Sequence, residues 1–497
     1  MIRVQKPMTR AALLAASAAG ALVLLQGEAG AAGMYLTDRG VRPSSRGGAY
    51  IAGGDDLGAI AYNPAGVYEA GTQVLIDAGL VEWRSQYTRQ ALLRQVDPNT
   101  GEPTGATFVQ TMEPVTGSAP VLPIPTLAAS LQVDRQWVVW GGMWAPYAAL
   151  SRYPEQVKGM PAPQRYALLD MDGSALAFLG AGAAYAPSPE WRLGASIGAV
   201  VGAFNSRMVA SGCVPERMFC APEDPEWDIR SELSVGPIIA PTGQLGALFV
   251  PSRAWRVGLA FQLPVWVRAP ATIRARLPAA PVFERAVQEG EDADVSFELP
   301  WILRAGVEAR VVDDLRVELG LGLEGWGMHD DILVEPEDLV LRDVAGFPEE
   351  FRAPAVEYPR RFESSFSARL GGEYSVELAG RRWDLRAGVS FEQSAVPPEY
   401  LSVLTIDATK VTTAAGLGVH LGRWRLDASY AHVFVAGVTV DPRDARLPQV
   451  SPVRANPPEN PNFINGGAYS ARANVVGLGV AYTFEAAPEQ TAQKKRD

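Results

Sequence analysis

Several short segments of this 497-residue chain carry residue types that do chemistry in other settings. Gly194-Ala195-Ser196-Ile197-Gly198 spells a nucleophile elbow, in which a serine stands exposed on a strand–turn–helix. Here the odd positions stay apolar from Trp191 through Val201, so Ser196 lies inside one continuous strand, as a small residue facing a lumen. Gly320-Leu321-Gly322-Leu323-Glu324-Gly325 spells a dinucleotide fingerprint, but alternation runs through it and no helix signal follows. The acid pairs Glu223-Asp224, Glu291-Asp292 and Asp330-Asp331 lack calcium-loop spacing and read as solvated loop charge. Cys213 and Cys220 have no histidine nearby, and His329, His420 and His432 are scattered, whereas structural zinc takes four ligands. Two closely spaced cysteines in an exported chain point instead to a local disulfide. The reading is of no enzyme: no catalytic residue, no metal and no cofactor.

What positions these segments follows from composition and periodicity. Charged residues make up only 20% of the chain, hydrophobic ones 47%, and the net charge is −11. An acidic chain without clustered Lys/Arg is a poor match for nucleic acid. Arg3, Lys6 and Arg10, then the uncharged run Ala11 to Leu25, then Ala29-Gly30-Ala31, have the order of a secretory signal with cleavage after residue 31. The uncharged run Ser118 to Val133 contains Pro120, Pro123 and Pro125, so it is no spanning helix. If the chain crosses a membrane, it must do so as a closed barrel, because lipid leaves no other way to satisfy the backbone.

The period-two signal is strong. Leu315, Val317, Leu319, Leu321 and Leu323 alternate with Arg316, Glu318, Gly320, Gly322 and Glu324. Trp255, Val257, Leu259 and Phe261 alternate with Arg256, Gly258 and Gln262, and Trp383 to Glu392 and Trp424 to Tyr430 behave likewise. These segments run about ten to twelve residues, the length of a tilted membrane-spanning strand, not of an ordinary one. Short turns at Asp134–Gln136, Pro187–Glu190, Pro251–Ala254, Asp313–Asp314, Ala379–Arg382 and Gly422–Arg423 alternate with long loops. Trp137, Trp191, Trp255, Trp383 and Trp424 each follow such a turn at once, as an interfacial girdle would require. The expected fold is all-β: a transmembrane antiparallel β-barrel of about fourteen strands over residues 72–484, with a polar tail at 485–497.

Residues 32–71 do not alternate and are rich in Gly and Ala. They are read as a plug or hatch that meets an inner wall carrying Arg192, Arg256, Arg316, Glu318, Asp384 and Arg386; a periplasmic tail is the rival reading.

This segment also carries a resemblance. Ala32-Gly33-Met34, Gly48-Ala49, Asp55-Asp56 and Asn63-Pro64-Ala65-Gly66 are similar to the start of outer-membrane long-chain fatty acid and aromatic hydrocarbon transporters, the FadL/TodX-like family. Ala145-Pro146-Tyr147, Leu299-Pro300 and the ending Gly466 to Phe484 extend it over almost all of the mature chain. The resemblance implies a fourteen-stranded barrel in the Gram-negative outer membrane, plugged by its N-terminal hatch, that takes up hydrophobic small molecules by diffusion, long-chain fatty acids first among them. It implies a hatch gate, placed here at Met34, Leu36, Asn63, Pro64 and Ala65, and a lateral exit at a kink in strand three, placed here at Gly141 and Gly142. The barrel is read as a monomer, with outer-membrane lipid and lipopolysaccharide as its surroundings. Some relatives of such barrels serve secretion or envelope assembly, and that is the alternative function.

Overall fold

The computed structural model describes residues 39–96, 103–119, 123–147, 151–214, 220–221, 223–453 and 461–484. The expected signal segment, Met34, Leu36 and the C-terminal tail lie outside these residues.

Fourteen antiparallel strands close on themselves. They are β1 Gln73–Val96, β2 Pro123–Gln132, β3 Trp137–Tyr147, β4 Ala175–Tyr185, β5 Trp191–Ser211 and β6 Asp228–Ser252. β7 runs through Trp255–Gln262 and Val265–Arg276, β8 through Asp292–Leu299 and Ile302–Val312. β9 is Leu315–Glu324 continued by Asp331–Pro336, and β10 is Val356–Pro359 continued by Ser365–Leu378. β11 Arg381–Glu392, β12 Lys410–Leu421, β13 Trp424–Val435 and β14 Gly467–Thr483 complete the wall. β14 pairs with β1 from Gln73↔Thr483 to Arg89↔Gly467, which leaves no free edge in the membrane-height wall at this seam.

The burial of the two faces is the reverse of a water-soluble sheet. Ile197 is 76% exposed and Leu259 52%, while Glu318 and Asp384, on the other face of the wall, are 0% exposed. A wall that shows its leucines outward and hides its carboxylates is at low energy only when lipid surrounds it. No helix among the described residues is long and apolar enough to cross a membrane. Trp137, Trp191, Trp255 and Trp424 point outward at one height, between 41% and 51% exposed. Three of them stand against an aromatic on the next strand: Trp137 on Tyr185, Trp191 on Phe249, Trp424 on Tyr482. The girdle expected from the turns is therefore present.

On the opposite side the wall continues far past the bilayer. β1, β5 and β6 have 24, 21 and 25 residues, about twice what a tilted span needs. These extensions form a collar whose interior is packed by loops: Tyr166, Leu168 and Leu169 from one, Leu401 and Val403 from another. Cys213 and Cys220 are joined by a disulfide and belong to an apolar cap with Trp227, Phe283, Leu341 and Val344.

Strand three is regular at its glycine pair and irregular further out. The alternation breaks at Gly141-Gly142, yet both ladders run through these residues in register, Ala129↔Gly141 and Ala128↔Gly142 on one side, Gly141↔Ala181 and Gly142↔Gly180 on the other. A glycine keeps its N–H and so keeps its place in a ladder. The irregularity lies further out. β2–β3 pairing stops at Thr126↔Trp144, although β2 goes on pairing with β1 to Leu80↔Pro123. Against β4, the register of β3 shifts between Trp144 and Tyr147. Between them sits Pro146, which has no N–H to give.

Candidate functional site

Residues 39–71 lie inside the barrel, buried almost throughout. They form one short helix, α1 Val41–Ser45, and two 3-10 turns, Leu57–Ala61 and Pro64–Ala70. So much irregular backbone can be buried only if the wall supplies partners. Glu318 does so for one turn, accepting from the N–H groups of Ile51, Ala52 and Gly53 at 2.6, 3.0 and 2.8 Å. Asp77 of β1 accepts from the Val41 N–H at 2.7 Å, at the start of α1.

Asn63 is the pivot of the second turn. Its Oδ1 accepts from Ala65 N, while its Nδ2 donates to the carbonyls of Ile51 and, on β6, Ala247. Pro64 follows as the first residue of the 3-10 turn, where a fixed φ costs nothing. Here the wall must be glycine. A Cβ on Gly194 would come within 2.3 Å of the Pro64–Ala65 backbone, and one on Gly388 within 2.2 Å of the Arg46 carbonyl carbon. The inward residue of the lipase-like pattern, Ser196, makes no hydrogen bond in this wall, so no base stands ready to activate it.

The two sides of this plug differ. Toward β8–β13 it is held by ions. Glu373 accepts from Arg42, Arg316 and Arg386 at 2.6 to 3.1 Å. Arg316 also reaches Asp55, Arg46 pairs with Glu308, and Arg425 pairs with Asp56. Toward β1–β4 it is apolar: Leu57, Ile60, Tyr62 and Val67 pack with Val138, Trp140, Trp144 and Phe178. Asn63, Pro64 and Ala65 lie at the start of the second 3-10 turn, against β5 and β6. The Asp55-Asp56 pair, noted only as part of a pattern, is central to the ionic side. Sequence could not show this, because its partners come from strands hundreds of residues away.

Above the plug, inside the collar, is an apolar chamber of about 140 Å³. Phe204 and Met208 of β5, Leu233 of β6, Ile273 of β7, Ile332 of β9 and Tyr358 of β10 are among its walls. Next to its Tyr358–Leu404 side stands Arg360, 1% exposed, which donates to Thr405 Oγ1 at 2.7 Å and lies over the Phe362 ring at 4.5 Å. Arg360 makes no ion pair among the described residues, and burial brings its guanidinium down to about 10.

Phe362 also packs on His329, with Trp326 and Phe297 around it. His329 Nδ1 lies 2.6 Å from the Glu298 carbonyl, which can only accept, so Nδ1 carries the proton of a neutral ring. Burial first, then the nearby Arg360 charge, lowers His329 to about 3. An opened loop would titrate near 6.5. Between these values the opened state binds the extra proton, so loop stability falls as pH drops through that window. At pH 5.5 the loss is about 1.4 kcal/mol, or tenfold more frequent opening. Amide exchange over residues 326–362 should quicken about tenfold between pH 7.5 and 5.5, after correction for intrinsic rates, and His329→Phe should remove that slope. An unchanged slope in the variant would assign it to another group.

The family model described as "Outer membrane protein transport protein (OMPP1/FadL/TodX)" matches residues 22–484. Among solved structures, a Pseudomonas aeruginosa FadL homologue is 14% identical with a TM-score of 0.63, covering 91% of this chain and 100% of its own. The P. putida toluene transporter TodX is 16% identical with a TM-score of 0.59, covering 90% and 99%. The Ralstonia pickettii toluene transporter TbuX is 15% identical with a TM-score of 0.54, covering 90% and 99%. Identity this low establishes a shared fold and nothing finer. No curated protein matches the chain in sequence.

Proposed function

The chain belongs to the OMPP1/FadL/TodX family of outer-membrane transport proteins, and from that footing we propose that it admits long-chain fatty acids by diffusion, with the plug as gate. The family places it in the outer membrane and makes its cargo hydrophobic. The observation that carries the finer reading is the pairing of an apolar chamber with a buried arginine that makes no ion pair among the described residues, the Asp407 carboxylate acting on it only from beyond contact. An acyl chain seeks such a wall, and its carboxylate seeks such a cation.

A second reading rests on size. An apolar cavity of roughly 150 Å³ holds a benzene ring. The chamber as it stands has that volume, so a neutral monoaromatic compound fits without any motion, whereas an acyl chain requires the collar loops to part. The two cargoes make different demands on Arg360, and this gives the test. In cells lacking their own transporter, Arg360→Gln should lower labelled oleate uptake at least tenfold at limiting concentration, because a carboxylate loses a charge-assisted partner. Toluene uptake should be unchanged. Equal oleate uptake by the variant would sink the fatty-acid reading and favour the aromatic one. If the unmodified protein confers uptake of neither compound, the secretion or assembly role becomes the better account.

A further inference from the structure

The lipid-facing wall carries one feature that transport does not use. Tyr482 of β14 pairs with Val74 of β1 and Trp424 of β13 at the level of the lower girdle. Ten residues along each strand, Arg472 pairs with Arg84 and Phe434. Ten residues at ~3.3 Å each, tilted by ~40°, rise about 25 Å, the height of the apolar band of such barrels. The outward residues from the girdle up to Leu80 and Val476 are apolar, with Ile76 and Leu80 on β1, Val476 and Leu478 on β14 and Leu426 on β13; the paired Glu82 and Asn474 lie one step below the arginines. Arg84 and Arg472 therefore stand where the acyl chains of the outer leaflet end and its headgroups begin.

Both arginines are exposed. Directly opposed like charges destabilise a strand pair unless something neutralises them. Glu82 serves Arg84, with Nε to Oε1 at 3.0 Å, and is otherwise occupied by Asn474 Nδ2 at 3.0 Å. Asn474 in turn accepts from Tyr430 Oη at 2.9 Å. Arg472 makes no ion pair among the described residues. Other outward arginines differ: Arg268 pairs with Asp294 and Arg274 with Glu291. One carboxylate is thus shared by two adjacent guanidiniums, at headgroup height, beside the aromatic ring of Phe434.

We infer that Arg84 and Arg472 form a clamp for a phosphate of the outer-leaflet lipid, the phosphorylated glucosamine headgroup of lipopolysaccharide. Guanidinium forks match the oxygens of a phosphate in pairs, and one phosphate bridging the two relieves their repulsion. The acyl chains of the same lipid lie down the apolar strip below, and the Glu82–Asn474–Tyr430 chain keeps Arg84 in place.

The test is binding of bisphosphorylated lipid A to the full barrel in a neutral maltoside detergent, read by native mass spectrometry. One lipid should be retained per barrel. Arg84→Gln with Arg472→Gln should lower retention at least about tenfold, since two charge-assisted contacts are lost. Arg268→Gln with Arg274→Gln should leave it unchanged, and heat-shifted gel mobility reports that each variant is folded. Should the first pair fail to fold, Arg472→Gln alone should still lower retention several-fold. Equal retention by the Arg84/Arg472 variants overturns the clamp. So does equal retention of dephosphorylated lipid A, which would mean that acyl chains alone hold it. Displacement by inorganic phosphate would make the site one for free anions.

Discussion

Replacing Glu373 by alanine is expected to turn a closed barrel into a leaky one. This one carboxylate, 2% exposed, receives hydrogen bonds from Arg42 of the plug and from Arg316 and Arg386 of the wall. Without it, three buried guanidiniums face one another across a gap that water must fill. Breaking a buried ion pair from one side costs about 3–5 kcal/mol, and here three pairs share the lost partner. The wall can absorb this, because its ladders are backbone bonds that do not involve Glu373. The plug cannot, because its ionic side is what holds it against β8–β13. Planar-bilayer recordings should show Glu373→Ala conducting ions through frequent, large openings, where the unmodified barrel is nearly silent. Glu373→Gln keeps the volume and part of the hydrogen bonding, so its openings should be rarer. Heat-shifted mobility of both variants should stay that of a folded barrel. An alanine variant as silent as the parent would show that the apolar side alone holds the plug.

How much of this was legible beforehand depends on which interactions are local. Strand periodicity is local: Leu315 to Leu323 announce one lipid-facing edge with no knowledge of the neighbours, and the strand formed there is Leu315–Glu324. Turns are local too, and the Trp that follows five of the six short turns fixes a height. The collar was not legible. The expected spans run about ten to twelve residues, while β6 runs for 25 from Asp228, because outside the membrane the strand faces packed loops and its outward face need not be apolar. The ionic side of the plug was half legible. Arg316, Glu318 and Arg386 could be assigned to the inner face by alternation, and each of them does meet the plug or its ion network. Which cation meets which carboxylate depends on the closure of the barrel, which no window of sequence contains. Arg360 was missed altogether. The sequence near it, Tyr358-Pro359-Arg360-Arg361-Phe362, reads as an ordinary basic loop; only burial separates Arg360 from the exposed Arg361.

The glycine pair of strand three shows the same logic and leads to the second large effect. Adjacent glycines draw attention because they interrupt a pattern of side chains, but a ladder is made of backbone donors. Gly142 faces inward, where a Cβ would meet Ala128 and the Leu127 carbonyl, so the close approach of β2 accounts for it. Gly141 faces outward, where a Cβ would meet only the Gly180 carbonyl oxygen, at 3.9 Å. The donor that is missing belongs to Pro146, and there β3 leaves β2 and slips against β4. Just inside this point lie Trp140, Trp144 and Phe178, the apolar side of the plug. A hydrophobic molecule passing the plug on that side meets rings all the way to the parted seam, and beyond it lipid. On the other side it would meet the buried charges around Glu373. We propose that the seam beyond Thr126 and Trp144 is the lateral exit. Positions 125 and 145 would face each other if the ladder continued, so a bond between them would close it while leaving Pro146 in place. Pro125→Cys with Ala145→Cys, oxidised in cells, should cut uptake of oleate or toluene to the level of cells without the protein, and a membrane-permeant reductant should restore it. Each single cysteine variant should transport normally, and the native Cys213–Cys220 bond, tested in the unmodified protein, controls for the reductant itself. Full uptake through a cross-linked seam would place the exit elsewhere in the wall.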